Sequence, residues 1–244
     1  MQEADCLAGH VAVVTGGSSG IGRAIALGLS RQGAQVCVVG RNPVTLAETV
    51  AAAGQFSHIR GFQIDLTAEE NLQPLLTHLK GEAGRLDILV HSAGLLRHDP
   101  MERARVEDLD IQYNVNVRAP YVLTQHLLPL LIAARGQIVF INSSLALTAK
   151  RPEVGQYSAT KHALKAVADS LREEVNGRGI RVLTVCLGRT ATPMQEVLHR
   201  QEGKNYRPEM LLQPDDIASV VVQALTLPST AEITDISMRP MRMT

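Results

Sequence analysis

Apolar residues along the chain follow two alternating rhythms. Short, nearly unbroken apolar runs occur at "VAVVT" (11–15), "QVCVV" (35–39), "HIRGFQI" (58–64), "LDILV" (86–90), "QIVFIN" (137–142), "IRVLTVC" (180–186) and "EITDIS" (232–237). A strand covered on both faces has no solvent side for polar residues, so most of these runs read as buried parallel strands. Between them apolar positions recur with 3.6-type, helical periodicity, as in Ile21, Ile25, Leu27 and Leu29, or Leu164, Val167, Ala168, Leu171 and Val175. This alternation predicts an α/β protein: a doubly wound parallel sheet of about seven strands, with right-handed crossovers placing helices on both faces. No Pro/Gly/Ser linker, internal repeat or low-complexity tract divides residues 1–244, so one domain is expected. Two segments, 95–106 and 188–214, are longer than connections require. In open α/β sheets ligands bind beyond the carboxyl ends of the strands, so these segments are either pocket walls or surface connections, and long loops in compact domains favour the first.

Chemistry first shows where the first strand meets the first helix. "VAVVTGGSSGIGRAIALGL" turns through Gly16, Gly20 and Gly22. Glycine permits the tight turn and removes the Cβ that would block a pyrophosphate, while the helix start near Gly20 offers free N–H groups and the positive end of its dipole. The spacing is T-G-x-x-x-G-x-G rather than G-x-G-x-x-G. Coming directly after an apolar strand and opening a helix, it points to a Rossmann-type dinucleotide site. The second strand ends in Gly40–Arg41, where an NAD site wants an acid. A carboxylate would repel a 2′-phosphate and a guanidinium can grip it, so NADP(H) is expected, with NADPH preferred over NADH. The bland reading is a solvated arginine after a strand. Asp65, closing "FQID", is either a helix N-cap, for which Thr67 is better placed, or an acceptor for the adenine amino group.

Composition changes the picture mainly by exclusion. Lys+Arg and Asp+Glu are both 24, which gives no electrostatic reason to expect nucleic acid or an anionic membrane as partner. Aromatic residues make up 3%, so stacking surfaces are scarce. Cys6, Cys37 and Cys186 are too few and too scattered for a disulfide framework or metal site; no metal is expected, and a reducing cytoplasm is implied. "MQEADCLAG" lacks the basic start and apolar stretch of a signal peptide, and "HLLPLLIAA" is too short to span a bilayer.

The strongest chemical candidate is "QYSATKHAL". Tyr157 and Lys161 lie four apart, on one helix face whose continuation, Leu164 and Ala168, is apolar and turns inward. A carbonyl accepting a hydride needs a proton, and a tyrosine of pKa about 10 is a poor base for the reverse reaction at neutral pH. A cation roughly 4 Å from the phenol, at an effective dielectric of about 20, contributes on the order of 4 kcal/mol and would lower its pKa by about three units, with desolvation opposing.

These segments together resemble the short-chain dehydrogenase/reductase family in its compact single-domain branch. The resemblance covers essentially the whole chain: "TGGSSGIG" (15–22), "DLT" (65–67), "HSAG" (91–94), "NVRAPY" (116–121), "INSSLA" (141–146), "YSATK" (157–161), "LGRTATPM" (187–194) and "QPDDIA" (213–218), in the family's order. It implies a catalytic tetrad of Asn116, Ser144, Tyr157 and Lys161. Ser144 is preferred to Ser143 because it lies thirteen residues before Tyr157. It also implies cofactor contacts from Gly16, Ser18, Ser19, Gly20, Ile21, Gly22, Arg41, Asp65, Leu66, Ser92, Ala93, Gly94, Tyr157, Lys161, Gly188, Thr190 and Thr192. Ser144 would hydrogen-bond the reacting oxygen, Lys161 would hold the nicotinamide ribose, and Asn116 would help hold a relay water. Homotetramers or homodimers are implied, paired through helices at roughly 107–134 and 155–178.

The chain departs from the family at "HSAG", where "NNAG" is usual, and at Leu187–Gly188, where "PG" is usual. His91 and Ser92 must therefore brace their turn differently; as a catalytic base His91 has no nucleophile partner. The expected activity is NADP(H)-dependent hydride transfer between nicotinamide and a carbonyl or secondary alcohol. The alternatives are a nucleotide-binding regulatory protein that has lost turnover, and an epimerase or dehydratase using the same Tyr–Lys pair. Pocket candidates mix Leu95, Leu145, Leu147 and Met194 with Arg97, Arg151 and Arg189. That mixture suits a 3-oxoacyl chain, a small hydroxy acid or a natural-product ketone equally.

Overall fold

A computed structural model describes residues 6–54 and 58–241. In chain order its elements are β1 (Val11–Thr15), α1 (Gly20–Arg31), β2 (Gln35–Gly40), α2 (Pro43–Ala52), β3 (Ile59–Gln63), α3 (Gln73–Lys80), β4 (Ile88–His91), α4 (Val106–Tyr113), α5 (Ala119–Ala134), β5 (Gln137–Ser143), α6 (Gly155–Val175), β6 (Arg181–Leu187), α7 (Pro193–Gln201), α8 (Pro214–Leu225) and β7 (Asp235–Met238). The strands form one parallel sheet of order β3-β2-β1-β4-β5-β6-β7. Winding reverses between β1 and β4, and the crevice of such a sheet opens at that point.

The unbroken apolar runs are explained by burial on both faces. Ala12, Val14, Val36, Val38 and Val90 pack under α1 and α8 through Ile25, Leu29, Ile217 and Val221. The alternate residues Val11, Val13, Val39, Leu89 and Phe140 pack on the other face against Leu75, Leu127 and Leu164 of α3, α5 and α6. Among the described residues no helix is long and apolar enough to cross a membrane.

Three local departures from the sequence expectations bear on the site. The segment expected as one helix near 107–134 is broken by a π-helical turn at Asn114–Arg118, which leaves Asn116 buried. Such wide turns often occur at functional positions. The helix after Asp65 opens instead with a 3-10 turn, Glu69–Leu72, whose N-cap is Ala68. Neither Asp65 nor Thr67 caps it; the Asp65 carboxylate accepts from the Thr67 backbone N–H at 3.0 Å and its hydroxyl at 2.7 Å. The 188–214 segment contains α7 and a 3-10 turn at Pro208–Met210.

β1 and β4 are joined at their carboxyl ends by Thr15, which lies opposite His91 in register. Its buried hydroxyl accepts from the Ser92 and Ala93 N–H groups at 3.0 and 3.2 Å and donates to the Val90 carbonyl at 3.3 Å. One donor and two acceptor sites are the full capacity of a hydroxyl. Thr15→Val keeps the shape and strands those partners, so unfolding in urea is expected to show a loss of about 1–3 kcal/mol. A midpoint equal to that of the parent chain would rule out this role.

Candidate active site

The turn after β1 is shaped by close approach. Gly16 has φ +65°, and a Cβ there would lie 2.8 Å from the Ala93 backbone. At Gly22 a Cβ would meet the Gly16 carbonyl oxygen at 2.5 Å, so the α1 helix lies directly against the turn. Ser19, at the N-cap of α1, makes no side-chain capping bond, so the first-turn N–H groups remain available to an anion. A cleft of about 270 Å³ opens here. Its walls include Gly16, Ser18, Ser19, Gly20, Ile21, Gly22, Arg41, Asp65, Leu66, Ser92, Ala93, Gly94 and Thr192. Val115, which the sequence reading did not single out, also lines it, carried there by the π-helical turn.

At the end of β2, Gly40 packs against Ser18: a Cβ there would lie 2.8 Å from the Ser18 hydroxyl, which would have to turn away. Arg41 beside it is exposed. The Asp65 carboxyl is held below its usual range by the Thr67 backbone and hydroxyl hydrogen bonds, and by the nearby Arg41 charge. One wall of the cleft therefore carries both a cation and a carboxylate.

An adjoining cavity of about 240 Å³ shares Ile21, Ser92, Gly94, Thr192 and Met194 with this cleft. Tyr157, Lys161, Gly188 and Thr190 line it, with both Ser143 and Ser144. Of the other pocket candidates, Leu145, Arg151 and Arg189 line this cavity, Met194 lines both, and Leu95 lines the cleft. Leu147 is exposed, and Arg97 pairs with Asp108 at 3.3 Å; neither lines the cleft or this cavity. Thr192 accepts from the Gln195 N–H at 3.3 Å as the cap of α7, and so ties that helix to the cavity mouth.

Two serines stand beside Tyr157 in the cavity wall, the expected Ser144 and its neighbour Ser143. Ser143 is the last residue of β5 and Ser144 opens the 3-10 turn Ser144–Ala146; both line the cavity with Tyr157, and Ser143 is the one that acts on the acidity of the phenol. Ser143 Oγ also accepts from the Leu145 N–H at 3.1 Å, which orients the hydroxyl.

The electrostatic expectation for the Tyr–Lys pair also changes. Both side chains are buried on α6. Lys161 Nζ lies 5.7 Å from the centroid of the Tyr157 ring and donates to the Ile141 carbonyl at 3.2 Å. Desolvation prevails: it pushes Tyr157 up to about 12, against the Ser143 hydrogen bond, and Lys161 down to about 8. The phenol is therefore protonated at neutral pH, the form that can donate.

Asn116 does not line either cavity. Its amide donates to the Leu95 carbonyl at 2.8 Å and the Thr160 hydroxyl at 3.0 Å and accepts from the Leu95 N–H at 2.8 Å. It clamps the segment following "HSAG" to α6. Thr160 is a partner the sequence reading passed over, although it lies inside "YSATK". His91 is fully buried, stacked on Phe140 at 4.9 Å with Nε2 2.9 Å from the Thr124 hydroxyl. The brace of the turn thus comes from Thr15, and His91 is a core residue. Among the described residues no cluster of His, Cys, Asp or Glu could hold a metal.

The family model for short chain dehydrogenases matches residues 10–203. The chain belongs to the short-chain dehydrogenase family. Relatives include an uncharacterized oxidoreductase of Staphylococcus epidermidis, 33% identical over 231 residues and covering 94% of this chain and 96% of that one. An uncharacterized short-chain type dehydrogenase/reductase of Sinorhizobium fredii is 32% identical, covering 95% and 91%. Among solved structures, a metagenomic short-chain oxidoreductase in complex with NADP is 31% identical, with TM-score 0.78 over 97% of this chain and all (100%) of that one. A short chain dehydrogenase from Shigella flexneri complexed with NADP is 30% identical, with TM-score 0.86 over 96% and 99%. This chain is thus a short-chain dehydrogenase-type oxidoreductase on the Rossmann-like sheet of its relatives.

His91 makes the scaffold of this short-chain dehydrogenase sensitive to acid. Burial lowers its pKa to about 3 in the fold, whereas in the unfolded chain the ordinary value is about 6.5. Between these values only the unfolded chain takes up the proton, so stability falls as pH falls through that window, by up to about 1.4 kcal/mol per unit. His91→Asn is expected to flatten the pH dependence of urea stability between about pH 6 and 4. An unchanged slope would show that His91 titrates alike in both states.

Proposed function

We propose that this oxidoreductase is NADP(H)-dependent and interconverts a carbonyl and a secondary alcohol, with Tyr157 as the acid/base group. The reading rests on one observation: a buried phenol, with Ser143 and Ser144 in the same wall and Lys161 beside its ring, faces a cavity adjoining the glycine-walled cleft. The cleft fits a dinucleotide, since Gly16 and Gly22 leave no room for a Cβ and the α1 N–H groups there are uncapped. Gly16, Ser18, Ser19, Gly20 and Ile21 would hold its phosphates. When bound, the nicotinamide supplies a hydride to the carbonyl carbon, or takes one from the alcohol.

The remaining work falls to the chain's own side chains. The raised pKa keeps Tyr157 protonated, so it can give its proton to the carbonyl oxygen as charge builds there. Ser143, which acts on the acidity of the phenol, would be the second donor to that oxygen. Lys161 supplies positive charge below its lowered pKa and returns some of the phenolate's lost solvation. Asn116 acts as a positioning residue through Leu95 and Thr160. An intact set of this kind favours turnover over the purely regulatory alternative, which would need neither hydroxyl.

Tyr157→Phe is expected to lower NADPH-dependent ketone reduction about 10²–10⁴-fold while NADPH still quenches or enhances fluorescence on binding. Ser143→Ala should cost about 10²–10³-fold in kcat and Ser144→Ala far less. The reverse order would return the role to Ser144, and near-normal turnover by Tyr157→Phe would end the assignment.

Preference for NADPH over NADH is supported by Arg41 on the cleft wall and by the absence of an acid at Gly40. Arg41→Ala is expected to weaken NADPH binding about 10–100-fold, as loss of a charge-assisted hydrogen bond does, and to leave NADH binding nearly untouched. Equal affinities for the two cofactors in the parent chain would contradict this preference.

A further inference from the structure

The cavity facing Tyr157 carries more positive charge than its surroundings neutralise. Arg151, from the connection between β5 and α6, and Arg189, from the connection after β6, both form part of its wall. Their side chains are 25% and 13% exposed, so neither charge is freely hydrated. Behind them stands Glu202, the C-cap of α7, only 8% exposed. It pairs with Arg189 at 2.7 Å and with Arg151, and Lys204 approaches it at 3.2 Å from a more exposed position. Among the described residues no other carboxylate pairs with either arginine. His199 cannot serve as a second anion: its Nε2 faces Arg189 Nη1 at 3.1 Å and accepts, while Nδ1 donates to the Gln195 carbonyl at 2.7 Å.

One carboxylate therefore serves two partly buried guanidiniums and an ammonium. The strain is visible in their acidities. Burial, then the Arg189 charge, holds Arg151 below its ordinary value; burial does the same to Arg189; and Lys204 is lowered by burial and by both arginines. Positive charge out of water is stabilised by an anion at hydrogen-bond distance, and planar guanidiniums match the two oxygens of a carboxylate. The side of this cluster away from Glu202 is the cavity, whose wall Tyr157 and Ser143 share with both arginines.

We propose that the cavity selects a small carbonyl or hydroxy acid, whose carboxylate is held by Arg151 and Arg189 while its carbonyl or hydroxyl oxygen is presented to Tyr157. This rests on the oxidoreductase reading above. Leu145, Leu187, Leu198 and Met194 supply apolar wall for the few carbons between the two groups. At about 240 Å³, part of it beside Ile21, Gly94 and Thr192 of the cofactor cleft, the cavity has room for a short carbon chain between the two groups.

The test compares acids with their neutral esters. NADPH oxidation is followed with acetoacetate against methyl acetoacetate, and with 4-oxopentanoate against its methyl ester. In parallel, calorimetry measures 4-oxopentanoate and its ester binding to the protein saturated with NADP+. The acid is expected to exceed the ester at least about tenfold in kcat/KM and in affinity, the scale of one charge-assisted contact. Arg151→Gln should collapse that ratio, and Glu202→Gln, which frees both guanidiniums, should raise it. If Arg151 serves only to clip α7 to its neighbour, acid and ester lose activity together and the ratio survives, which overturns the proposal. Equal use of acid and ester by the parent chain also overturns it and leaves the Tyr157 assignment standing. Arg151-dependent binding of the acid without reduction of any carbonyl would uphold the carboxylate site and remove the catalytic reading instead.

Discussion

The site depends on how closely the carboxyl ends of β1 and β4 approach each other. The turn after β1 lies so near the turn after β4 that Gly16 has no space for a Cβ against Ala93. Thr15 holds the two turns together by filling every hydrogen-bonding position of its hydroxyl with the backbone of residues 90, 92 and 93. That contact brings the N-terminus of α1 and the segment following "HSAG" to one place. Once those are set, a cleft for a phosphate-bearing ligand is a consequence of geometry, since the sheet winds outward in both directions from this line.

A second clamp fixes the chemical side of the site. The π-helical turn rotates Asn116 inward, where it binds both backbone groups of Leu95 and the hydroxyl of Thr160. Thr160 in turn donates to the Tyr157 carbonyl at 2.8 Å. Tyr157 and Lys161 are thereby held on a part of α6 whose position relative to the β4 turn is set by side-chain hydrogen bonds. Asn142 adds a further tie, donating to the Lys161 carbonyl at 3.1 Å. Polar groups buried in such chains are costly unless all are satisfied, and here they fix position as well as stability.

Burial explains the electrostatic character of the centre. Tyr157 and Lys161 are removed from water together, and desolvation pushes each toward its neutral form. A phenol that stays protonated suits proton donation. A lysine whose ordinary value has fallen to about 8 is a charge that the site can lose just above neutrality. The arginine–glutamate cluster on the opposite connection keeps its charge, because a guanidinium remains protonated even when its acidity is shifted. The cavity therefore has one titrating end and one permanently positive end.

Much of this was determined by the sequence alone. The apolar runs specify strands buried on both faces, and their number and order with the intervening helices leave a doubly wound sheet as the consistent arrangement. The glycines of "TGGSSGIG", the missing acid before Arg41, and the four-residue spacing of Tyr157 and Lys161 are local features, so local reasoning finds them. What tertiary structure decided depends on distances between elements far apart in the chain. Whether Ser143 or Ser144 meets Tyr157 depends on the path of the β5–α6 connection, which residue counting does not measure. The sign of the Tyr157 shift depends on how much water burial removes and where Lys161 Nζ points. The brace at Thr15 and the shared carboxylate of Glu202 join segments 75 or more residues apart, or three separate connections, and no periodicity carries that information.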